Sequence, residues 1–235
     1  MVPLFNFQIM KGRKRQFQQL SIWHKILLVS VFANKIHMKR KFILGSNNIN
    51  LLLPNGQFGS RLRGGRDSAV PHHLYTQLNK ITKIIFNPKD EAVLKYRYDC
   101  NDRIEPEWYC PIIPMVLVNG CDGIGTGASS KIPKFNPKDI IENIRRLING
   151  QSPKKMHPWY RGFRGTIQEV YENNYQVSGE IGVLGENCVE ITELPLGTWT
   201  DTYKEKVLWP YIYGFDKTPA KIIDYKEYST DVTVR

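Results

Sequence analysis

Apolar residues in the first half of the chain recur at helical spacing. Intervals of three or four separate Leu74, Leu78, Ile81 and Ile85. Because residues at these intervals share one face of a helix, the pattern predicts a helix that follows Pro71 and packs one apolar stripe against a core.

A second helix is predicted at residues 137–147. Asn136 suits the N-cap, Pro137 the first turn and Gly150 the end of the helix. Its predicted buried face consists of Ile140, Ile141, Ile144, Leu147 and Ile148. A third helix is predicted at residues 198–208 and would end before Pro210.

The remaining periodic segments predict strands. Residues 49–53 form a short apolar run between the turn-forming sequences GSNN at 45–48 and PNG at 54–56. Residues 165–170, 175–184 and 188–191 are rich in β-branched and aromatic residues and are separated by turn sequences, which predicts a meander. Residues 230–235 resemble an unfinished strand, so we expect a continuation. Helices and strands together predict an α+β fold.

Composition limits the classes of protein that remain. The 235 residues are 41% hydrophobic, enough for one large domain or two small ones. No run approaches the roughly 18 apolar residues of a membrane span, so no membrane partner is expected. The four cysteines have no CxxC pairing and no histidine at zinc-finger spacing. We therefore predict free thiols, no metal site, and a reducing compartment such as the nucleus or cytosol.

The net charge of +11 is concentrated near the N-terminus. Residues 1–44 contain nine Lys or Arg and no acidic residue, whereas the rest of the chain is nearly balanced. This basic leader fits a targeting peptide, a nucleic-acid arm, a nuclear import signal at residues 39–41, or a segment foreign to the fold. Phosphate binding by the main body must therefore follow from local placement of its basic residues.

Two glycine-rich segments are candidates for such binding. Arg61, Arg63 and Arg66 lie within six positions, among glycines that would let the backbone approach phosphates; a solvated basic turn is the alternative. The second segment, GIGTG at 123–127, lacks the glycine spacing of a dinucleotide fingerprint. It presents Ile124 either as an exposed apolar side chain or as part of a tight, buried turn.

Six collinear segments carry a resemblance to a known family. They are GSNNINLL at 45–52, GQFGSRLRGGRDSA at 56–69, RIEPEWYCPIIPMVLVNG at 103–120, GIGTG at 123–127, EITELPLGTWTDTYKE at 190–205 and DKTPAKIIDYKEYSTDVTV at 216–234. With these segments the chain resembles the DNA-gate region of eukaryotic type IIA DNA topoisomerases.

The resemblance implies a domain organisation and a set of partners. Residues 45–128 would be the C-terminal part of a winged-helix domain, residues 129–235 the N-terminal part of a mixed α/β tower domain, and residues 1–44 a non-matching leader. The family acts on double-stranded DNA in the nucleus as a homodimer and uses ATP and Mg²⁺. Its isoleucine at the position of Ile124 is a wedge that bends DNA. No cofactor is expected to bind this chain alone.

The sequence departs from the family at the nucleophile. The family reads roughly S-P-R-Y where this chain has Val70, Pro71, His72 and His73. His72 thus takes the arginine position, and His73 that of the tyrosine that attacks DNA. Tyr75 is the candidate substitute for this tyrosine. Because it lies two residues further along the chain, its hydroxyl would be too far from the DNA phosphate for attack, so a role as a core aromatic is preferred. Attack by His73 itself, through a phosphohistidine, is the other alternative.

Two function hypotheses follow. The first is a fragment of an ATP-dependent type II DNA topoisomerase that binds duplex DNA but does not cleave it alone. The second is a non-catalytic DNA-binding or dimer-interfering module.

Overall fold

The computed structural model of the chain describes residues 42–70, 73–125, 128–214 and 219–235. Residues 1–41 of the predicted leader thus lie outside the described residues, and so does His72. Within the described part, no helix has the length and apolar character needed to cross a membrane.

The first half consists of antiparallel strand pairs joined by short helices. Strand β1 (Leu52–Asn55) pairs with β2 (Tyr75–Leu78), and helix α1 (Thr82–Ile85) follows. After a 3-10 turn (Pro88–Ala92), β3 (Tyr96–Asp99) pairs with β4 (Asp102–Pro106). Helix α2 (Met115–Asn119) then leads into the hairpin of β5 (Cys121–Gly125) and β6 (Ala128–Ile132).

The second half begins with the longest described helix. This helix, α3 (Pro137–Ile148), precedes the pairs β7 (Thr166–Tyr171) with β8 (Asn174–Ser178) and β9 (Glu180–Gly185) with β10 (Cys188–Glu193). Helix α4 (Thr200–Tyr203), a π-helical turn (Lys204–Leu208) and helix α5 (Trp209–Tyr213) complete the regular elements. Helices and strands are therefore mixed, in agreement with the predicted α+β class.

The predicted helix after Pro71 is wrong. Residues 75–78 form strand β2, and only residues 82–85 are helical. Along β2 the exposed residues Tyr75 and Gln77 alternate with the half-buried Thr76 and Leu78. An interval of four residues is also an even number, so Leu74 and Leu78 share one face of an extended chain as readily as one face of a helix.

Helix α3 is confirmed, but most of its predicted buried face is not. The Asn136 side chain accepts a hydrogen bond from the Lys138 N–H at 3.0 Å, as expected of an N-cap. Ile140 is buried and Ile144 packs beside it. Ile141, Leu147 and Ile148, by contrast, are exposed.

Glycine and proline explain two further differences from the predicted elements, and a third difference lies at residues 230–235. The segment predicted as one strand at 175–184 is divided at Gly179, where a Cβ atom would collide with the Glu193 carbonyl. Helix α5 continues through Pro210 to Tyr213, after a π-helical turn. In the π-helical turn each N–H bonds to the carbonyl five residues earlier, so the backbone hydrogen bonds shift just before Pro210. Pro210 has no N–H to donate and occupies the first turn of α5. The strand predicted at residues 230–235 is not formed.

Two apolar clusters form the described core. The first contains Leu52 and Phe58, with Phe42, Leu74 and Leu78 packed against them. The second contains Ile113, Val118 and Ile140, with Ile49, Met115, Leu117, Phe135, Ile144 and Met156 around them. The Phe42 ring meets the Phe58 ring edge-on at 4.8 Å, and Ile43 is buried. Residues 42–44, predicted as leader, therefore belong to the fold.

A buried asparagine joins the segment before β1 to the rest of the chain. The Asn48 amide donates to the carbonyls of Val118, Phe135 and Trp159 at 3.0–3.2 Å and accepts from the Arg161 N–H at 2.9 Å. Its neighbour Ile49 exchanges two 3.0 Å hydrogen bonds with the Asn119 amide. Side-chain amides thus replace the strand pairing that this segment lacks.

Candidate nucleic-acid interface

The arginine loop, residues 59–67, is closed on itself. The Asp67 carboxylate accepts the Ser60 N–H through both oxygens at 3.0 Å, and the Gly65 N–H donates to the Ser60 carbonyl at 3.2 Å. Burial raises the pKa of Asp67, but hydrogen bonds from Ser60 and the charge of Arg63 outweigh it and hold the pKa below its usual value. Asp67 therefore stays ionised at neutral pH and keeps the loop closed.

The loop glycines allow close packing within the protein. A Cβ atom on Gly59 would collide with the Gly65 backbone, and one on Gly64 would collide with the Trp199 ring. Both Gly59 and Gly64 also have positive φ angles, of 103° and 61°. At these two positions the glycines make room for the loop itself and for Trp199, whereas the sequence suggested room for phosphates.

Arg61 points into the protein. It is 5% exposed and forms an ion pair with Glu193, which is 2% exposed; the same guanidinium nitrogen donates to the Leu194 carbonyl at 3.3 Å. This placement disagrees with the predicted phosphate contact by Arg61, because the guanidinium is enclosed and already paired. Removing one partner of a buried ion pair typically costs about 3–5 kcal/mol, since it leaves the other charge uncompensated.

Arg63 and Arg66 lie on the exposed side of the same loop. The Arg63 side chain is 65% exposed, and its Nε donates to Asp201 at 3.1 Å. Asp201 also pairs with Lys204 at 3.1 Å, and Lys204 with Glu227 at 2.9 Å. Arg66 is exposed as well. The loop therefore presents two guanidinium groups to solvent.

The candidate nucleophile positions lie at the end of the β1–β2 pair from which the arginine loop extends. His73 is exposed, its N–H donates to the Val70 carbonyl at 3.0 Å, and a Cβ on Gly56 would lie 3.3 Å from its carbonyl oxygen. Tyr75 begins β2 opposite Asn55 and is 69% exposed. The prediction of a core aromatic at Tyr75 is therefore wrong, because its position in the strand alternation faces outward.

Ile124 lies near the tip of the β5–β6 hairpin. Its backbone pairs with Ser129, one position before the last described pair of the hairpin. Asp122 and Lys131, the pair two positions further from the tip, are exposed. Residues 126–127 lie outside the described residues.

Metal-ligating side chains are not clustered in the part of the chain that the structure describes. Among the described residues, no group of three or more His, Cys, Asp or Glu side chains could hold a metal ion. The four cysteines are free and exposed. Mg²⁺ is bound through carboxylate oxygens, which the arginine loop does not offer in a cluster.

Comparison with known proteins decides the family. The model of the family formed by the A subunits of DNA gyrase/topoisomerase IV matches residues 29–235. The chain is 53% identical to human DNA topoisomerase 2-alpha over 207 residues and 54% identical to human DNA topoisomerase 2-beta over 200 residues. The chain belongs to the type II DNA topoisomerase family. Members of this family are isomerases.

The matched region is a small part of the related topoisomerases. The two alignments cover 88% and 85% of this chain, but 14% and 12% of the human proteins. The crystal structure of the Plasmodium falciparum topoisomerase II DNA-binding, cleavage and re-ligation domain is similar, with a TM-score of 0.78 and 42% identity. That similarity covers 87% of this chain and 28% of the Plasmodium chain. The family match begins at residue 29, within the segment predicted as a non-matching leader.

The loop's anchors were not predicted from the topoisomerase sequence. Glu193, Trp199 and Asp201 all contact the arginine loop, across more than 130 residues of chain. All three lie in the segment EITELPLGTWTDTYKE, which carried part of the resemblance. The signal was present, but it did not indicate which residues the segment contacts.

Substituting Gly64 tests the packing of the loop against Trp199. We expect Gly64→Ala to lower the free energy of unfolding by about 1–2 kcal/mol for the positive φ angle, and by a further 1–3 kcal/mol or so for overpacking against the ring. The measurement is urea unfolding followed by circular dichroism.

Gly150→Ala is the matched control for this substitution. Gly150 has a similar φ of 72°, but nothing lies within 4 Å of its added Cβ. It therefore reports the backbone contribution alone. Equal destabilisation by the two substitutions would show that Trp199 does not pack against Gly64.

Proposed function

We propose that this chain is a DNA-gate segment of an ATP-dependent type II DNA topoisomerase that binds duplex DNA and does not cleave it alone. In this proposal residues 45–128 are the end of a winged-helix domain, and residues 129–235 are the beginning of a tower domain. The full-length protein would act in the nucleus as a homodimer with ATP and Mg²⁺. The order of the matched segments and the family membership support this organisation.

The observation that carries DNA binding is the outward placement of Arg63 and Arg66 on an internally anchored loop. Guanidinium groups keep their charge and can bind phosphate through two parallel hydrogen bonds. Because Arg63 uses only its Nε toward Asp201, its two terminal nitrogens have no protein partner among the described hydrogen bonds. The related Plasmodium structure is of a DNA-binding, cleavage and re-ligation domain.

Loss of cleavage rests on the residue at the nucleophile position. His73 stands where the family has tyrosine, and imidazole is not a phenol that forms a reversible ester with a DNA phosphate. At His72 an imidazole would replace the planar guanidinium, which binds phosphate through two parallel hydrogen bonds. The same reasoning supports the second candidate, a DNA-binding module without catalysis.

Phosphate contact by the two exposed arginines is tested through salt dependence. Log K falls with log salt, so the slope is negative. In the proposal, Arg63→Ala and Arg66→Ala each make this slope less steep by about 0.9, the contribution of one neutralised phosphate. Binding of a fluorescent duplex is measured by anisotropy between about 50 and 200 mM salt.

Arg145→Ala is the charge-matched control for both variants. Arg145 is an exposed arginine on α3, a different element from the arginine loop. We expect its removal to leave the slope unchanged. An equal fall for all three variants would mean that net charge alone governs binding.

Cleavage incompetence is tested by trapping protein on DNA. When the chain is incubated with supercoiled plasmid and Mg²⁺ and then denatured with detergent, we expect no protein-linked DNA, since neither histidine forms the tyrosyl ester. A covalent adduct that disappears in Tyr75→Phe would identify Tyr75 as a nucleophile. One that disappears in His73→Ala would identify a phosphohistidine. Either result would overturn the proposal.

The proposed wedge role of Ile124 is tested by separating bending from stability. In the proposal, Ile124→Ala reduces the bending of duplex DNA, measured by fluorescence transfer between its ends, while thermal melting of the protein is unchanged. If Ile124 is instead a core residue, the substitution lowers stability by roughly 2–5 kcal/mol and leaves bending intact.

A further inference from the structure

The three arginines of the arginine loop divide into one buried group and two exposed groups. Arg61 is 5% exposed, whereas the Arg63 side chain is 65% exposed and Arg66 is also exposed. The buried arginine is separated from Arg63 by only one residue. The position of the backbone at Arg61 therefore constrains the backbone that carries Arg63.

Glu193 is held in place independently of Arg61. At the end of β10, its carboxylate accepts the Arg164 N–H at 3.2 Å and the Leu194 N–H at 3.0 Å, in addition to the Arg61 guanidinium. A carboxylate has about four acceptor positions, and three are occupied here. Because two of its three donors are backbone groups, its oxygens are already oriented for the arginine.

The rest of the loop is attached to the same part of the chain. The Asp201 N–H donates to the Leu62 carbonyl at 3.1 Å, and the Arg61 N–H donates to the Asp231 carbonyl at 2.8 Å. Trp199 packs against Gly64. Residues 193–201 together with Asp231 thus form the support of the arginine loop, and the Arg61–Glu193 pair is its buried part.

We propose that Arg61 and Glu193 are positioning residues that hold the arginine loop so that Arg63 and Arg66 face the same DNA backbone. This inference rests on the proposed DNA binding and goes beyond it, because it assigns a DNA-binding role to an acidic residue. It also makes a prediction whose sign is opposite to that of simple electrostatics. Removing the negative charge of Glu193 makes the chain more positive, yet it weakens DNA binding.

The test compares Glu193→Gln with Glu190→Gln in the full 235-residue chain. Both substitutions remove one negative charge from β10, but Glu190 pairs with Arg235 and not with the arginine loop. Glutamine keeps the size of the side chain and one acceptor oxygen. We expect Glu193→Gln to weaken binding to a fluorescent duplex. The negative slope of log K against log salt should become less steep by up to about two, because both exposed arginines lose their alignment. Glu190→Gln is expected to bind equally well or slightly better.

A double-mutant cycle distinguishes positioning from a general loss of stability. In the wild-type background, Arg63→Ala weakens DNA binding; in the Glu193→Gln background, the same substitution has little further effect. Circular dichroism first establishes that each variant is folded at the assay temperature. If Glu193→Gln binds DNA as well as wild type, and Arg63→Ala weakens both equally, the positioning role is overturned.

A charge-neutral variant keeps the proposal testable if Glu193→Gln does not fold. The double substitution Arg61→Met with Glu193→Gln removes both buried charges and leaves the net charge unchanged. Replacing a whole buried pair is often tolerated where breaking it is not. We expect this variant to fold and to bind DNA more weakly than wild type. Wild-type affinity in the folded double variant would contradict the proposal.

Hydrogen exchange separates failure of this inference from failure of the proposed function. We expect the backbone amides of residues 59–67 to exchange faster in Glu193→Gln than in Glu190→Gln, with or without DNA. If wild type does not bind duplex DNA, the proposed function and the DNA-positioning role both fail, whereas exchange still reports whether the pair holds the loop. Unchanged exchange together with retained DNA binding overturns the positioning role alone.

Discussion

The described fold depends on the side-chain amide of Asn48. A primary amide offers two donor hydrogens and an acceptor oxygen. The Asn48 side chain, 3% exposed, donates to three carbonyls, so that two of them share a hydrogen, and accepts one N–H; these partners lie 70–113 residues away in sequence. Aspartate has no donor for these carbonyls, and alanine would leave all four backbone groups without this partner. Leaving a buried backbone group unsatisfied costs about 1–3 kcal/mol. One side chain therefore holds the start of the described region against α2, the segment before α3, and the segment before β7.

This attachment determines where the arginine loop lies. After Asn48, the chain is fixed by the Asn119 amide at Ile49 and by the Thr82 hydroxyl, which donates to the Leu51 carbonyl at 2.6 Å. Strand β1 then leads through residues 56–58 into the loop, whose other contacts come from residues 193–201 and from Asp231. The loop is thus supported by the segment before it and by a distant segment. Its two exposed arginines consequently occupy places set by the whole described fold.

Capping residues next to a helix predicted where that helix begins, whereas the burial of single side chains depended on residues far away in the sequence. Helix α3 was predicted with its N-cap because Asn136 and Pro137 act on the backbone next to them. The helix after Pro71 was wrong because spacing alone does not separate a strand face at Leu74 and Leu78 from a helix stripe. Arg61 was assigned to phosphate binding because it lies with Arg63 and Arg66 in a glycine-rich segment. Only the position of Glu193, 132 residues later, reverses that assignment.

Burial separates the neighbouring arginines of the loop into two different environments. The Arg63–Asp201 pair is exposed on the Arg63 side, and such pairs contribute about 0–1 kcal/mol in water and salt. A phosphate can compete with Asp201 for Arg63, because little stability is lost when the carboxylate is exchanged for another anion. The Arg61–Glu193 pair is enclosed, and a phosphate that drew Arg61 outward would leave Glu193 charged and buried. In the proposed function, Arg63 is therefore available to DNA because it is weakly held, and Arg61 keeps the loop in place because it cannot readily leave Glu193.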